Sequence, residues 1–256
     1  LTIKESIYFK YDGINSKDEG ILNVKVDSGL YEESLVSSKR VVEDKIEGRH
    51  KPYKKYIERD SLEIPVSFYF TDTWDDDKIR RVARWLDQEE YKPLIFESQP
   101  NKIYYAMVNT SIDVIHNGLK QGYLTLTFKC DTYHAFSAMH QEIHDLSSNT
   151  VDGTTIKFNN QGDTLLSPTV IIQKVGAGDV SIINNSDGGK EFKMTGLVDT
   201  EEVEVDNEYR EITTNQVNTQ RYTNFNMNWM ELLVGVNRLQ VYGDCKLAFQ
   251  YELKLL

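Results

Sequence analysis

Apolar positions along this chain recur every second residue far more often than every third or fourth. IYFKY (7–11), ILNVKV (21–26), LEIPVSFYF (62–70), KIYYAMVNTSIDVI (102–115) and YLTLTFKC (123–130) alternate or are rich in β-branched and aromatic residues. That is the pattern of half-buried strands. Asp12-Gly13 is a turn signal that doubles the chain back within FKYDGINSKDEGILNV (9–24). Asn117-Gly118, with Gly122 lengthening the loop, makes an antiparallel hairpin of the last two runs.

One stretch breaks the rhythm. In TWDDDKIRRVARWLDQEEY (73–91), Ile79, Val82, Ala83 and Leu86 stand at i, i+3, i+4 and i+7 and share a helical face. Asp75, Asp76 and Asp77 suit the positive end of a helix, Thr73 or Asp75 can cap it, and Pro93 supplies a stop. Trp85 falls off the centre of the apolar face, so it either caps the core edge or sits in an interface. From 134 to 150 the texture changes: HAFSAMHQEIHDLSSNT has weak periodicity and a polar end, and reads as a connection. Beyond it, SPTVIIQKV, DVSIIN, KEFKMTG, EEVEVDNEYREIT, NRLQVYG and CKLAFQYEL are short strands separated by turn residues. The expected organisation is a first domain over 1–134, a linker over 135–150 and a second domain over 151–256. The expected fold is mainly β, with a β-sandwich or jelly roll in the second half.

Composition narrows the role. The 256 residues carry a net charge of −11, and the halves differ: residues 1–134 hold 20 Lys and Arg against 23 Asp and Glu, residues 135–256 hold 9 against 17. An acidic second half repels phosphate backbones, which argues against sequence-specific nucleic-acid binding. No apolar run approaches the roughly 20 residues of a membrane span. LTIKESIYF lacks the build of a signal peptide, and a start at Leu1 rather than Met points to a trimmed chain. Cys130 and Cys245 each sit in an apolar strand pattern and read as buried free thiols, which fits assembly in a reducing cytoplasm.

Candidate chemistry is thin. His140 and His144 would share a face of a helix and could hold a metal, but Glu142 stands one place too late for HExxH, and a solvated linker is the simpler reading. Gly176-Ala-Gly178 precedes a strand rather than a helix, so it reads as a turn and not a dinucleotide loop. The carboxylate pairs Glu32-Glu33, Glu43-Asp44, Asp75 to Asp77, Glu89-Glu90 and Glu201-Glu202 read as solvated faces rather than a catalytic pair. No G-x-S-x-G or Cys/His arrangement stands out, so no enzyme and no cofactor is expected. Trp229 reads as core; with Tyr222 and Asn224 it could alternatively make a sugar platform, the basis of a second reading as a carbohydrate-binding module in host-surface adhesion. The most specific feature is the run Arg49, His50, Lys51, Lys54, Lys55, interleaved with Tyr53 and Tyr56, at the tip of a long strand pair formed by SSKRVVEDKIEG and YKKYIER. The run reads as an ordinary solvated loop, or as a projecting cationic, aromatic hairpin that can grip an acidic neighbour, including a copy of the same chain, or touch nucleic acid non-specifically.

An ordered series of motifs then resembles a known family. YDG, SKDEGIL and VDSGL, then SFYF, ARWL, YKPLIF and GYLTLTFKC, resemble the N-terminal domain of the distal tail proteins of phages with long, flexible tails. SPTVIIQKVGAGDVSIIN, VDNEYREI and WMELLVGVNRLQVYG resemble their C-terminal domain. The resemblance implies a first β-sandwich with a single helix and an extended hairpin, and a galectin-like second sandwich. It implies a homo-hexameric ring in the virion, assembled in the bacterial host cytoplasm. That ring would join the major tail tube protein to the tail-associated tip protein and serve as a hub for receptor-binding proteins, with DNA able to pass through its channel. Strands near the N-terminus and the 36–60 hairpin would then close the ring, with Arg49, Lys51, Tyr53, Lys54, Lys55 and Tyr56 at the subunit interface.

Overall fold

The computed structural model describes residues 3–24, 37–117, 119 and 121–256. The 26–30 stretch, Glu32-Glu33 and Gly118 lie outside the described residues. The chain divides into two compact units, one running through Phe136 and one from Ser137 to Leu255. Both are built of antiparallel strands, with one α-helix among the described residues.

The first unit contains β1 (Phe9–Tyr11), β2 (Ile14–Asn15), β3 (Ile21–Asn23), β4 (Lys39–Asp44), β5 (Tyr53–Arg59), β6 (Glu63–Phe70), α1 (Asp76–Leu86), β7 (Lys92–Phe96), β8 (Tyr104–Val108), β9 (Asp113–His116), β10 (Gly122–Cys130) and β11 (Ala135–Phe136). One sheet runs β2-β1-β7-β8-β10-β6-β3, with β9 also paired to β10. The 102–115 run is therefore broken into β8 and β9, which share one edge of β10. At the break, Thr110 Oγ1 accepts from Thr127 N–H (3.1 Å) in place of a backbone carbonyl. Gly122 is required opposite His116, because a Cβ there would stand 1.9 Å from the Ile115 carbonyl oxygen.

This sheet folds over on itself. β1 and β6 lie four strand steps apart, about 19 Å in a flat sheet. Yet the rings of Phe9 and Phe68 stack with centroids 4.6 Å apart. The opposed halves pack as the layers of a sandwich while remaining one hydrogen-bonded sheet. The tight turn at the start serves this closure: Asp12 and Gly13, both at positive φ (47° and 80°), make a two-residue connection from Tyr11 to Ile14. The chain then returns so that Asn23 N–H donates to Ile7 O (2.8 Å) and Ile21 N–H to Ser16 O (2.9 Å). Phe9, Tyr11 and Ile21 are fully buried, so their side chains are committed to this domain's own core.

Helix α1 covers that core. Asp75 caps it by accepting from Lys78 N–H (2.8 Å). The helix ends at Leu86, well before Pro93, which instead lies within β7. Trp85 is buried with Val82 and Leu86, stacks on Phe9, and donates from Nε1 to Tyr11 O (2.9 Å). It is core, and its indole N–H explains its place beside a strand end.

The second unit contains β12 (His140–Leu146), β13 (Thr154–Asn160), β14 (Thr169–Lys174), β15 (Gly178–Asn184), β16 (Lys190–Leu197), β17 (Glu202–Asp206), β18 (Glu211–Thr214), β19 (Gly235–Tyr242), β20 (Cys245–Tyr251) and β21 (Lys254–Leu255). A five-stranded sheet, β12-β20-β14-β17-β18, faces a four-stranded one, β13-β19-β15-β16. Phe158 on one meets Phe249 on the other (5.4 Å) within a single core. The expected linker over 135–150 is corrected here, since residues 140–146 form an edge strand paired along its length with β20. Apart from the exposed Ile143, its residues are polar on both faces up to Leu146, which removes the alternation that marks a strand. Gly176 and Gly178, at φ 64° and 143°, carry the chain across from β14 in one sheet to β15 in the other.

Buried polar groups hold the long connection from β18 to β19. Asn237 accepts from Asn184 Nδ2 and Leu233 N–H (both 3.0 Å) and donates to Leu233 O (2.7 Å). Asn207 accepts from Met230 N–H (2.7 Å). The Arg221 guanidinium forks onto Glu201, Nε to Oε1 (2.7 Å) and Nη2 to Oε2 (2.6 Å). Glu201, whose side chain has no solvent exposure, also accepts from Val198 N–H and the Thr214 hydroxyl. The Glu201-Glu202 pair therefore splits, with only Glu202 on the surface. Burial by itself raises a carboxyl's pKa, but these donors outweigh it and hold Glu201 below its ordinary value.

Arg221→Met strands that buried carboxylate and should cost about 3–5 kcal/mol, read from urea unfolding at neutral pH. Because the folded-state pKa lies below the ordinary 4.5, the pair's contribution is full above that pH and is lost as pH falls through the folded value. The gap between wild type and variant should narrow in acid; a constant gap down to about pH 3 would contradict this linkage.

Candidate functional site

Strands β4 and β5 stand apart from the core of their own domain. They pair only with each other, from Lys39↔Arg59 to Asp44↔Tyr53, with a bulge where Lys55 is the extra residue. Every residue from Lys39 to Arg59 is exposed except Val42, which is half-buried. Their root is fixed by Asp60 N–H donating to Ser38 O (3.2 Å), by a Ser38–Asp60 side-chain hydrogen bond, and by Arg59 over the Tyr133 ring (4.9 Å). The tip turns at Gly48 (φ 83°), with Arg49 N–H donating to Ile46 O (3.1 Å).

The expected interface residues all lie on this ribbon. Arg49 and Lys51 are at the tip, where Arg49 covers the Tyr53 ring (4.8 Å). Tyr53, Lys54, Lys55 and Tyr56 are on β5, the two tyrosines about half exposed. Lys55 differs from its neighbours because it already pairs with Asp44 (2.8 Å). Residues 39–59 carry eight Lys and Arg against four Asp and Glu, so the ribbon is a +4 projection from a chain whose remainder stands at −15. Sequence reasoning passed over Val41 and Ile57, which are opposite one another and 44% and 41% exposed. No alternation in the sequence marks them, since Val42 follows Val41 and Tyr56 precedes Ile57.

The other candidates resolve differently. His140, Glu142 and His144 lie on a strand, where i, i+2 and i+4 share one face. His144 Nε2 stands 3.0 Å from Glu142 Oε1, and His140 stacks on Tyr251. Among the described residues, no group of three or more His, Cys, Asp and Glu side chains is placed to hold a metal. Trp229 packs partly buried against the core, edge-on to Phe225 (4.9 Å). The Tyr222 hydroxyl accepts from Ile212 N–H, and Asn224 accepts from Thr195 and Arg221. The three residues of the supposed sugar platform thus all make contacts within their own domain. Cys130 and Cys245 are fully buried and free.

Two family descriptions fit this architecture. A phage tail protein N-terminal domain matches residues 4–132, and a phage tail C-terminal domain matches residues 136–251. The chain belongs to this family of phage tail proteins. The tail protein is 31% identical over 254 residues to the "SPbeta prophage-derived uncharacterized protein YomH" of Bacillus subtilis, covering 99% of this chain and all of that one. Its fold is similar to the crystal structure of the Dit protein of phage SPP1, with a TM-score of 0.71 at 17% identity over 96% of this chain and 98% of that one. It is also similar to a chain of the phage P2 baseplate, with a TM-score of 0.54 at 7% identity over 96% and 97%.

Burial pushes the Cys130 thiol to about 12, with Asp131 adding to the shift. Burial likewise raises Cys245 to about 11, against a smaller opposing effect of Lys174. Neither is a thiolate near neutral pH. The folded tail protein should therefore resist a thiol reagent at mildly alkaline pH and yield two reactive thiols only on denaturation; rapid native labelling would place at least one thiol nearer the surface.

Proposed function

We propose that this tail protein is a structural hub of the tail tip, a closed ring of six copies joining the major tail tube protein to the tail-associated tip protein and to receptor-binding proteins. It works in the virion, after assembly in the host cytoplasm, and its role is mechanical rather than catalytic. The galectin-like second domain faces outward from a belt of first domains, around a channel wide enough for DNA. One observation carries the reading: the β4–β5 ribbon covers almost none of its own apolar side chains. A two-stranded ribbon is at best marginally stable alone in water, so exposed Val41, Ile57, Tyr53 and Tyr56 are surface waiting for a partner. The size and partners of the assembly rest on resemblance to distal tail proteins. In support, the SPP1 Dit protein is described as a paradigm of hub adsorption apparatus.

Native mass spectrometry with negative-stain imaging tests the ring. Six-fold rings with a central hole are expected; a single-copy mass at every concentration, with no binding to tube or tip components, would end the proposal. Charge reversal at Lys51 and Lys54 should weaken the ring and make it more salt-sensitive. Lys55 is a poor choice for that test, because reversing it would also break its pair with Asp44.

A further inference from the structure

The two faces of the ribbon are not equivalent. One face carries Arg40 opposite Glu58, then Val42 opposite Tyr56. Its charges are matched within the ribbon: Arg40 pairs with Glu58 (3.1 Å), and Lys55 pairs with Asp44 (2.8 Å) just past the bulge. The opposite face carries Lys39 directly across from Arg59, then Val41 across from Ile57. Like charges directly opposite on a sheet are destabilising. Here they sit one rung from an exposed apolar pair, and Lys39 is not in an ion pair among the described residues. The Tyr133 ring under Arg59 softens this rung but supplies no anion. Among the described residues, one face is thus left with a repulsive rung and an uncovered apolar rung side by side.

We infer that this Lys39–Val41–Ile57–Arg59 face is the one that docks. Its occupant is a second copy of the chain, presenting a carboxylate to the Lys39–Arg59 rung and apolar side chains to Val41 and Ile57. The inference rests on the ring reading and deepens it. Charge complementarity selects the occupant, since everything outside residues 39–59 carries −15. A carboxylate between Lys39 and Arg59 turns the repulsive rung into two attractive contacts, and the apolar pair loses its water in the same step. The Arg40–Glu58 face offers an incoming carboxylate no unspent cation beside its apolar rung.

The test separates folding from docking. Lys39→Glu places an anion opposite Arg59, so the cross-strand rung becomes attractive within the subunit. The variant should unfold no more easily than wild type, yet self-associate at least about tenfold more weakly, measured by native mass spectrometry and analytical ultracentrifugation of the full chain. Val41→Thr with Ile57→Thr should weaken association comparably. Arg40→Gln with Glu58→Gln, on the other face and neutral in net charge, should leave the mass distribution near wild type. Association lost only with the second pair, or unchanged by Lys39→Glu and the first pair, would overturn the assignment of the face and leave the ring intact as a reading. A wild-type chain that stays monomeric, and binds neither tube nor tip components, would overturn the ring and this inference with it.

Discussion

Phe9 stacks on both Phe68 and Trp85, and that arrangement limits what the rest of the first domain can do. To bring β1 against β6, the sheet must bend until its two ends meet. The meeting is fixed by backbone bonds from Ile21 and Asn23 back to the first strands. A helix then closes the open side, held by an indole hydrogen bond to Tyr11. The buried aromatics and aliphatics that complete this core come entirely from outside residues 39–59. Among the described residues, Val41, Tyr53, Tyr56 and Ile57 enter no core, and their apolar surface stays in contact with water. The closed sheet thus creates the exposed ribbon: one segment is excluded from the domain so that the domain can be complete without it.

The second domain meets a different constraint. Its two sheets share one apolar core, but about twenty residues between β18 and β19 contain no strand. Long irregular segments carry many backbone polar groups that must find partners. Glu201 with Arg221, and the buried Asn184, Asn207 and Asn237, supply bonds with fixed directions. Apolar side chains of the same volume would bury as well, but would impose no direction on the loop. Removing one member of such a pair is costly because the other remains buried and charged. This domain can therefore carry its acidic surface on a framework whose loops hold one shape.

What could be read in the sequence divides along the same physical line. The helix was legible because its apolar period is local, and its Asp75 cap lies within one turn of the residues it serves. Strands β6 and β10 were legible because each buries one face, which writes alternation into the chain. Strand β12 was not, because an edge strand with polar residues on both faces leaves no periodic trace. The closure of the first sheet was hidden too, since it depends on backbone bonds between residues that any side-chain pattern would permit. Glu201 and Arg221 are twenty residues apart, and nothing in either neighbourhood announces that they meet inside the domain. On the ribbon, the cationic tip was visible as composition. Its division into a charge-matched face and an unmatched one needed the register, because moving a bulge by one residue exchanges the faces.

The charge distribution bears on the geometry of assembly as well as its strength. A body at −15 repels another body, and a ribbon at +4 repels another ribbon. Only ribbon against body is attractive. A two-fold contact answers this only where each copy's ribbon reaches the other's body across one shared interface. Head-to-tail contact uses different patches on the two copies and leaves each new copy with a ribbon still to place and a body still open. Such contacts either run on as a filament or close into a ring, according to the rotation between neighbours. Contacts through Ser38, Asp60 and Arg59 hold the ribbon at its root and so narrow the rotations open to such a contact. In an acidic chain with a rooted, cationic, two-faced projection, the signs of the charges favour ribbon-on-body contact over the alternatives.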